Sequence, residues 1–339
     1  MVGGGTERVI SILANHFAKS GDDVTILMTA NDALDYTLED GVKTDLITTN
    51  TGKSVAKRIN RIQKLRRIYQ KNKGAVFYSF GTETNLFSIL ASLGTKTNLV
   101  LSERSDPHQC SFKLLRNVIY SFGKKFVFQT EQARTCFSKR IQNRGIVITN
   151  PLRDDIPDCF DGEKEKTVVA VGRLIPLKNY PMLLRAFAQF SLEFKDYQLQ
   201  IYGQGEELET LQHLAEELSV RDRVYFKGFH ENVLEQIKKA GMYVLCSDYE
   251  GVSNSLLEAM SLGLPVIATD CPIGGAASLI QNRENGLLIP VGDEIKLYEA
   301  MKQYANDALF AKQCGQKAMK VREKNGTKYI AELWKKSAL

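Results

Sequence analysis

Missing from this chain are a C-x-x-C pair, an apolar run of about 18 residues, and a G-x-G-x-x-G after the first predicted strand of either half. Each absence removes a class of protein. Six cysteines, at positions 110, 136, 159, 246, 271 and 314, lie scattered without framework spacing, which argues against structural zinc and for a reducing, cytosolic compartment. Without an apolar run of membrane length the chain is not expected to span a bilayer, and Met1 leads straight into V-G-G-G rather than a secretory leader. The missing dinucleotide fingerprint disfavours a nicotinamide dehydrogenase. Internal repeats and low-complexity tracts are absent as well.

What is present is apolar content, 43% of 339 residues, in a length that exceeds one ordinary core and points to two domains. Short β-branched and apolar runs alternate with amphipathic segments, the pattern of parallel βα units. Strands are predicted at 24–28, 44–49, 75–80, 98–102, 125–129 and 145–149, then at 167–172, 197–203, 224–228, 242–247, 265–270 and 286–290. Between the two series, N-P-L-R-D-D-I-P-D-C-F-D-G-E-K-E-K (150–166) breaks the alternation with two prolines and six acidic residues. This divides the chain into a first domain over 1–150, a linker over 151–166, a second domain over 167–322, and a C-terminal helix over 323–339 expected to pack back on the first domain. The expected fold class is α/β, with two doubly wound domains facing a cleft and ligands at the carboxyl ends of the strands.

The net charge of +6 is unevenly spread: residues 1–150 hold 22 Lys and Arg against 12 Asp and Glu, and the remainder 23 against 27. The densest part, Lys53 to Lys73, has nine basic residues and no acidic one. Val55, Ile59, Ile62, Leu65 and Tyr69 recur there at three- and four-residue spacing, so it reads as an amphipathic helix with a cationic outer face. Such a face can rest on anionic headgroups, each basic residue contributing about 1 kcal/mol; the plainer alternative is a solvated helix surface. No nucleic-acid motif accompanies the cations, so nucleic acid is not an expected partner.

Polar residues collect at the strand ends of the second half. In V-G-R-L-I-P-L-K-N, Arg173 and Lys178 fall between a strand and a helix, where two fixed cations can grip a diphosphate, although basic loop residues are ordinarily solvated. Gly203 and Gly205 in I-Y-G-Q-G-E-E allow either close backbone approach to a ligand or a tight turn. The loop F-K-G-F-H-E-N-V could read a flat base beside Phe229, with His230 a loop residue rather than a catalyst. In Y-E-G-V-S-N-S-L-L-E, Glu250 and Glu258 stand eight residues apart around a turn with Ser253 or Asn254 as helix cap. Glycine and small polar residues leave the first helical amides free for an anion, so one carboxylate can accept ribose hydroxyls and the other sugar hydroxyls. The alternative is a surface Glu and a helix Glu making ion pairs.

In order along the chain, G-R-L-I-P-L-K-N, I-Y-G-Q-G-E-E-L-E-T-L, F-K-G-F-H-E-N-V, E-G-V-S-N-S-L-L-E, E-A-M-S-L-G-L-P-V-I-A-T-D and N-G-L-L-I-P-V-G-D resemble the retaining family-four glycosyltransferases. G-G-G-T-E-R-V-I-S-I-L-A-N-H-F-A-K-S-G-D-D-V-T-I-L, L-S-E-R-S-D-P and F-V-F-Q-T-E-Q extend the resemblance over nearly the whole chain. It implies the GT-B fold of two Rossmann-like domains, a nucleotide-diphosphate sugar donor and transfer with retained anomeric configuration. By matching positions, Arg173 and Lys178 would hold the diphosphate as leaving group, Glu250 the sugar hydroxyls and Glu258 the ribose. Gly251, Val252, Ser253, Asn254 and Ser255 would meet phosphate or sugar, with Gly203 and Phe229 also donor-binding, and Gly4 and Gly5 would close the donor site from the first domain. No D-x-D pair occurs, so metal chelation of the GT-A kind has no support, and no cofactor is expected.

Two departures accompany the resemblance. Only Met1 and Val2 precede the glycine loop, where the family has a central strand; its loss would leave ladder groups unpaired, and a natural start upstream or a less stable chain is expected. Arg104 stands where many relatives place a histidine; it is a poor proton acceptor but can bind phosphate or acceptor, and His108 is a second candidate. The expectation is therefore a cytoplasmic bacterial enzyme on the inner face of the cell membrane, held by residues 53–73. It would pass a hexose or N-acetylhexosamine from a UDP-sugar to a lipid-linked glycan in surface polysaccharide or glycan assembly. The alternative is an inert GT-B module acting as a binding partner.

Overall fold

Parallel strands buried on both faces read as continuous apolar runs, and the runs of this chain become its strands. The computed structural model describes residues 4–28, 36–47, 55–104, 106–110 and 112–339. Two compact units result, Met1–Pro151 with Thr327–Leu339, and Leu152–Gly326.

In the first unit β1 (Val24–Met28) and β2 (Val42–Leu46) form a two-stranded parallel sheet. A second parallel sheet follows chain order through β3 (Val76–Phe80), β4 (Asn98–Glu103), β5 (Lys125–Phe128) and β6 (Gly145–Val147). Among the described residues β1 pairs only with β2, and β3 only with β4. Shared cores tie the two sheets together nonetheless. On one face Val24 joins Tyr78, Phe80, Val100 and Val127 under Val9, Leu13 and Phe17 of helix Gly5–Lys19 and Trp334 of helix Thr327–Ser337. On the other, Leu27 and Phe77 meet Leu65 and Tyr69 of helix Val55–Lys71 and Phe87 of helix Thr82–Ser92.

The second unit holds β7 (Glu165–Val171), β8 (Gln198–Tyr202), β9 (Val224–Gly228), β10 (Ala240–Leu245), β11 (Val266–Thr269) and β12 (Leu287–Ile289). They lie in the order β12-β11-β10-β7-β8-β9, all parallel, with apolar clusters on both faces. This is the doubly wound arrangement, and the strand order reverses between β7 and β10, the point at which such sheets bind ligands.

All twelve strands of the described residues fall within three residues of the predicted ones; positions 48 and 49 of the second predicted strand lie outside the described residues. Two segments differ in detail. The helix Val55–Lys71 buries Leu65 and Tyr69, but Val55 and Ile59 of the same stripe are exposed, because residues 55–60 lie outside the core; positions 53 and 54 fall outside the described residues. The C-terminal segment is two helices rather than one, Val321–Lys324 and Thr327–Ser337, interrupted by Asn325 and Gly326.

Candidate functional site

Two loops leave adjacent strands at the switch point and are laced together. After β7, a single 3-10 turn at Pro176–Lys178 ends on Asn179, whose φ of 47° is the left-handed conformation that asparagine tolerates better than most residues. The Asn179 side chain caps helix Tyr180–Glu193 by accepting from the Met182 amide, and its Nδ2 donates to Asp248 Oδ1 at 2.7 Å in the loop after β10. The Asp248 amide donates to the Leu177 carbonyl at 3.0 Å, and Cys246 Sγ to the Lys178 carbonyl at 3.1 Å. Lys178 Nζ consequently meets Glu250 Oε2 in an ion pair whose side chains are only 13% and 23% exposed. Ser247 Oγ donates to the same oxygen at 3.4 Å. Arg173 is exposed, and its guanidinium makes no hydrogen bond or ion pair among the described residues. One cation is therefore matched to a carboxylate and the other is free.

The turn after Glu250 leads into helix Asn254–Ser261. Ser253 is its N-cap, with Oγ accepting from the Leu256 amide at 3.4 Å and lying 3.1 Å from Ser255 Oγ. Tyr243 of β10 donates to Ser255 Oγ at 2.8 Å and so fixes that hydroxyl from beneath. Glu258, one turn in, is only 4% exposed, and it is close enough to Arg153 to help keep that guanidinium's pKa raised, after the larger effect of its hydrogen bond to Asp155. Gly251, Val252 and Asn254 complete the turn, with Val252 5% exposed. Burial holds the thiol of Cys246 up to about 12 and that of Cys271 up to about 11, which makes both poor nucleophiles at neutral pH.

The glycines act first on protein, not on open space. A Cβ on Gly203, whose φ is +147°, would strike the Gly172 carbonyl, and one on Gly205 would strike Leu174. The turn after β8 thus packs directly against the Arg173 loop. Gly275, which pattern reasoning passed over, does the same on the other side, since its Cβ would overlap the Gly251 carbonyl. The G-G dipeptide at 274–275 was the available signal. Phe229 is 56% exposed, and His230 sits beside it with Nε2 3.0 Å from the Lys227 carbonyl. Among the described residues no group of three His, Cys, Asp or Glu side chains could hold a metal ion.

The remaining candidates belong to the first unit. Gly4 is the N-cap of helix Gly5–Lys19 and accepts at its carbonyl from Tyr36 Oη at 3.3 Å. Arg104 follows β4 and is 9% exposed, with Nη2 donating to Asn150 Oδ1 at 2.6 Å; burial lowers its pKa to about 10, so it stays charged at neutral pH. His108 is exposed, its Nε2 3.3 Å from Cys136 Sγ, and its backbone amide donates to Asp106.

Residues 155–321 match the family described as glycosyl transferases group 1. Over 343 aligned residues the chain is 30% identical to an alpha-1,4-N-acetyl-D-galactosaminyltransferase of Campylobacter jejuni, covering 98% of this chain and 94% of that one. That relative is named for GalNAc-alpha-(1->4)-GalNAc-alpha-(1->3)-diNAcBac-PP-undecaprenol as its acceptor. An uncharacterized glycosyltransferase of Haemophilus influenzae is 26% identical over 98% of this chain and 95% of its own length. Among solved structures, Anabaena HepE in complex with UDP superposes with a TM-score of 0.84 at 17% identity, covering 98% of this chain and 96% of HepE. The lipopolysaccharide outer core galactosyltransferase WaaB gives 0.80 at 19% identity, over 98% and 95%. The shared fold is GT-B.

Proposed function

The chain belongs to the group 1 glycosyl transferases, and we propose that it moves a hexose or N-acetylhexosamine from a UDP-sugar to a lipid-linked glycan, with retention and without a metal. The observation that carries the reading is the Lys178–Glu250 pair at the β7/β10 switch point, with the free Arg173 carried by the same loop after β7 as Lys178. Cations there neutralise charge as it develops on a departing diphosphate, the electrostatic work on which such a transfer depends. Glu250 exchanges Lys178 for sugar hydroxyls when a donor arrives, while Glu258 takes the ribose and the amides of 251–255 face phosphate or sugar. Gly203 serves by seating the Arg173 loop, and Phe229 offers a face to the base. In the reaction the sugar C1–O bond to the diphosphate breaks, the acceptor oxygen bonds to C1 on the same face, and the departing phosphate oxygen takes the acceptor's proton. No protein base is required.

Membrane association at the inner face of the cell membrane is part of the proposal; no helix of the described residues is long and apolar enough to cross a bilayer. Exposed Val55 and Ile59 among the cations of Val55–Lys71 support it, as do Leu114 (85% exposed), Val118 and Phe122 around helix Lys113–Tyr120. Residues 55–125 carry 14 Lys and Arg against three Asp and Glu, so the same region suits an anionic surface. Arg61 and Arg66 have structural partners in Glu83 and the Leu93 carbonyl, which leaves Lys57, Arg58 and Arg67 as the cations to change. Replacing these three by Gln should weaken sedimentation with anionic liposomes; unchanged sedimentation would remove the membrane component. For the reaction itself, radiolabelled UDP-sugars incubated with bacterial lipid extract should label a lipid fraction, and Arg173→Ala/Lys178→Ala should not. A folded parent protein that labels no lipid with any UDP-sugar would contradict the proposed function.

A further inference from the structure

Polar side chains converge at the carboxyl ends of β4, β5 and β6, the edge where doubly wound sheets take ligands. Gln129 (5% exposed) donates through Nε2 to Asn150 Oδ1 at 2.9 Å, and Arg104 Nη2 donates to the same oxygen at 2.6 Å. Asn150 is itself 2% exposed. Among the described residues that is the whole of Arg104's pairing: Nε and Nη1 are buried and have no acceptor there. The nearest carboxylate in sequence does not serve them, because Glu103 is engaged by Thr82 Oγ1 and Tyr120 Oη, each at 2.7 Å.

A buried guanidinium with two unmatched nitrogens costs free energy that folding alone does not recover. Arginine offers donors only, so the missing partner is an acceptor, and a planar cation with several free N–H groups selects an oxyanion. We infer that Arg104 is an oxyanion-binding residue of the first unit, and that its ligand is a phosphoryl group. Resting on the proposed function, this ligand is the diphosphate of the lipid-linked acceptor; free pyrophosphate shares the chemistry and is the other source. Because both nitrogens are covered, an oxyanion must displace what covers them, which makes the intrinsic site tighter than its measured affinity.

The test starts from Arg173→Ala/Lys178→Ala, which silences the proposed donor site, and compares it with the same chain carrying Arg104→Met. Calorimetric titration with inorganic pyrophosphate and with geranyl diphosphate should show binding in the first protein and a loss of about tenfold or more in the second, as expected for charge-assisted hydrogen bonds. Equal affinity for the two probes assigns the site to free pyrophosphate, and tighter geranyl diphosphate assigns it to the lipid-borne group. Absence of binding to the first protein, or binding that Arg104→Met leaves unchanged, overturns the inference. Without ligand, Arg104→Met should melt at or above the parent temperature, since it deletes unmatched donors. A lower melting temperature would mean that the guanidinium holds the fold, and would also overturn it. Titrating the Arg104→Met single variant with UDP separates the two proposals: UDP affinity there should equal that of the unaltered chain, and an unaltered chain that binds no UDP counts against the donor site rather than against Arg104.

Discussion

Glu250→Gln should tighten the binding of UDP while it destroys transfer. In the free protein Lys178 already has an anionic partner, and both side chains are largely withdrawn from water. A β-phosphate must take Lys178 away from Glu250, and UDP has no sugar hydroxyls to offer the displaced carboxylate, which is left beside a like charge. At this depth an ion pair falls between a surface pair, worth up to about 1 kcal/mol, and a buried one, which costs about 3–5 kcal/mol to break. Taking roughly 1–2 kcal/mol as the part UDP must overcome, removal of the charge should raise UDP affinity by about 5- to 30-fold. Gln keeps the volume, so packing around Cys246 and Asp248 should persist. A UDP-sugar should gain less, because the variant weakens the hydroxyl contact, and transfer should fall by about 100-fold or more. Calorimetry with UDP on the parent, Glu250→Gln, Lys178→Met and the double variant measures the coupling directly. Equal or weaker UDP binding by Glu250→Gln, or the same gain in the Lys178→Met background, would refute the reasoning.

The glycine contacts predict that Gly203→Ala and Gly275→Ala each lose about 1–3 kcal/mol in urea denaturation and about tenfold in UDP affinity, because each drives a methyl group into the backbone of a site loop; unchanged UDP affinity would show that the loops do not depend on them. Burial raises the folded-state pKa of Cys246 and Cys271, so the protonated thiols stabilise the fold fully below the ordinary value of 9.0, and this contribution is lost as pH rises toward about 12 and about 11 respectively. The urea midpoint should drop between pH 8.5 and 11 less steeply for Cys246→Ser/Cys271→Ser than for the parent, and equal slopes would contradict the assignment.

The strands were legible because β10, β11 and the last four residues of β7 are covered on both faces and so consist almost wholly of apolar residues. The places of Arg173, Lys178 and Glu250 in the loops after β7 and β10 were legible for the same reason, since each follows closely on such a strand. What sequence could not supply is tertiary. Asn179 and Asp248 are 69 residues apart, and neither pattern hints that one hooks the other. The close fit of Gly275 on Gly251 exists only after β10 and β11 have paired. The stripe of Val55–Lys71 has a clear helical period, yet period alone does not say where the core beneath it ends, and Val55 and Ile59 lie past that edge. The unmatched nitrogens of Arg104 are likewise invisible in L-S-E-R-S-D-P, since matching depends on Asn150 and on what fails to approach.

The donor site at the β7/β10 switch point is the central claim, and a calorimetric titration of the full chain with UDP and GDP, beside Arg173→Ala/Lys178→Ala, tests it most directly. The account predicts binding of UDP in preference to GDP and loss of UDP binding in the double variant. A folded chain that binds neither nucleotide, or a double variant that binds UDP as well as the parent does, would contradict it.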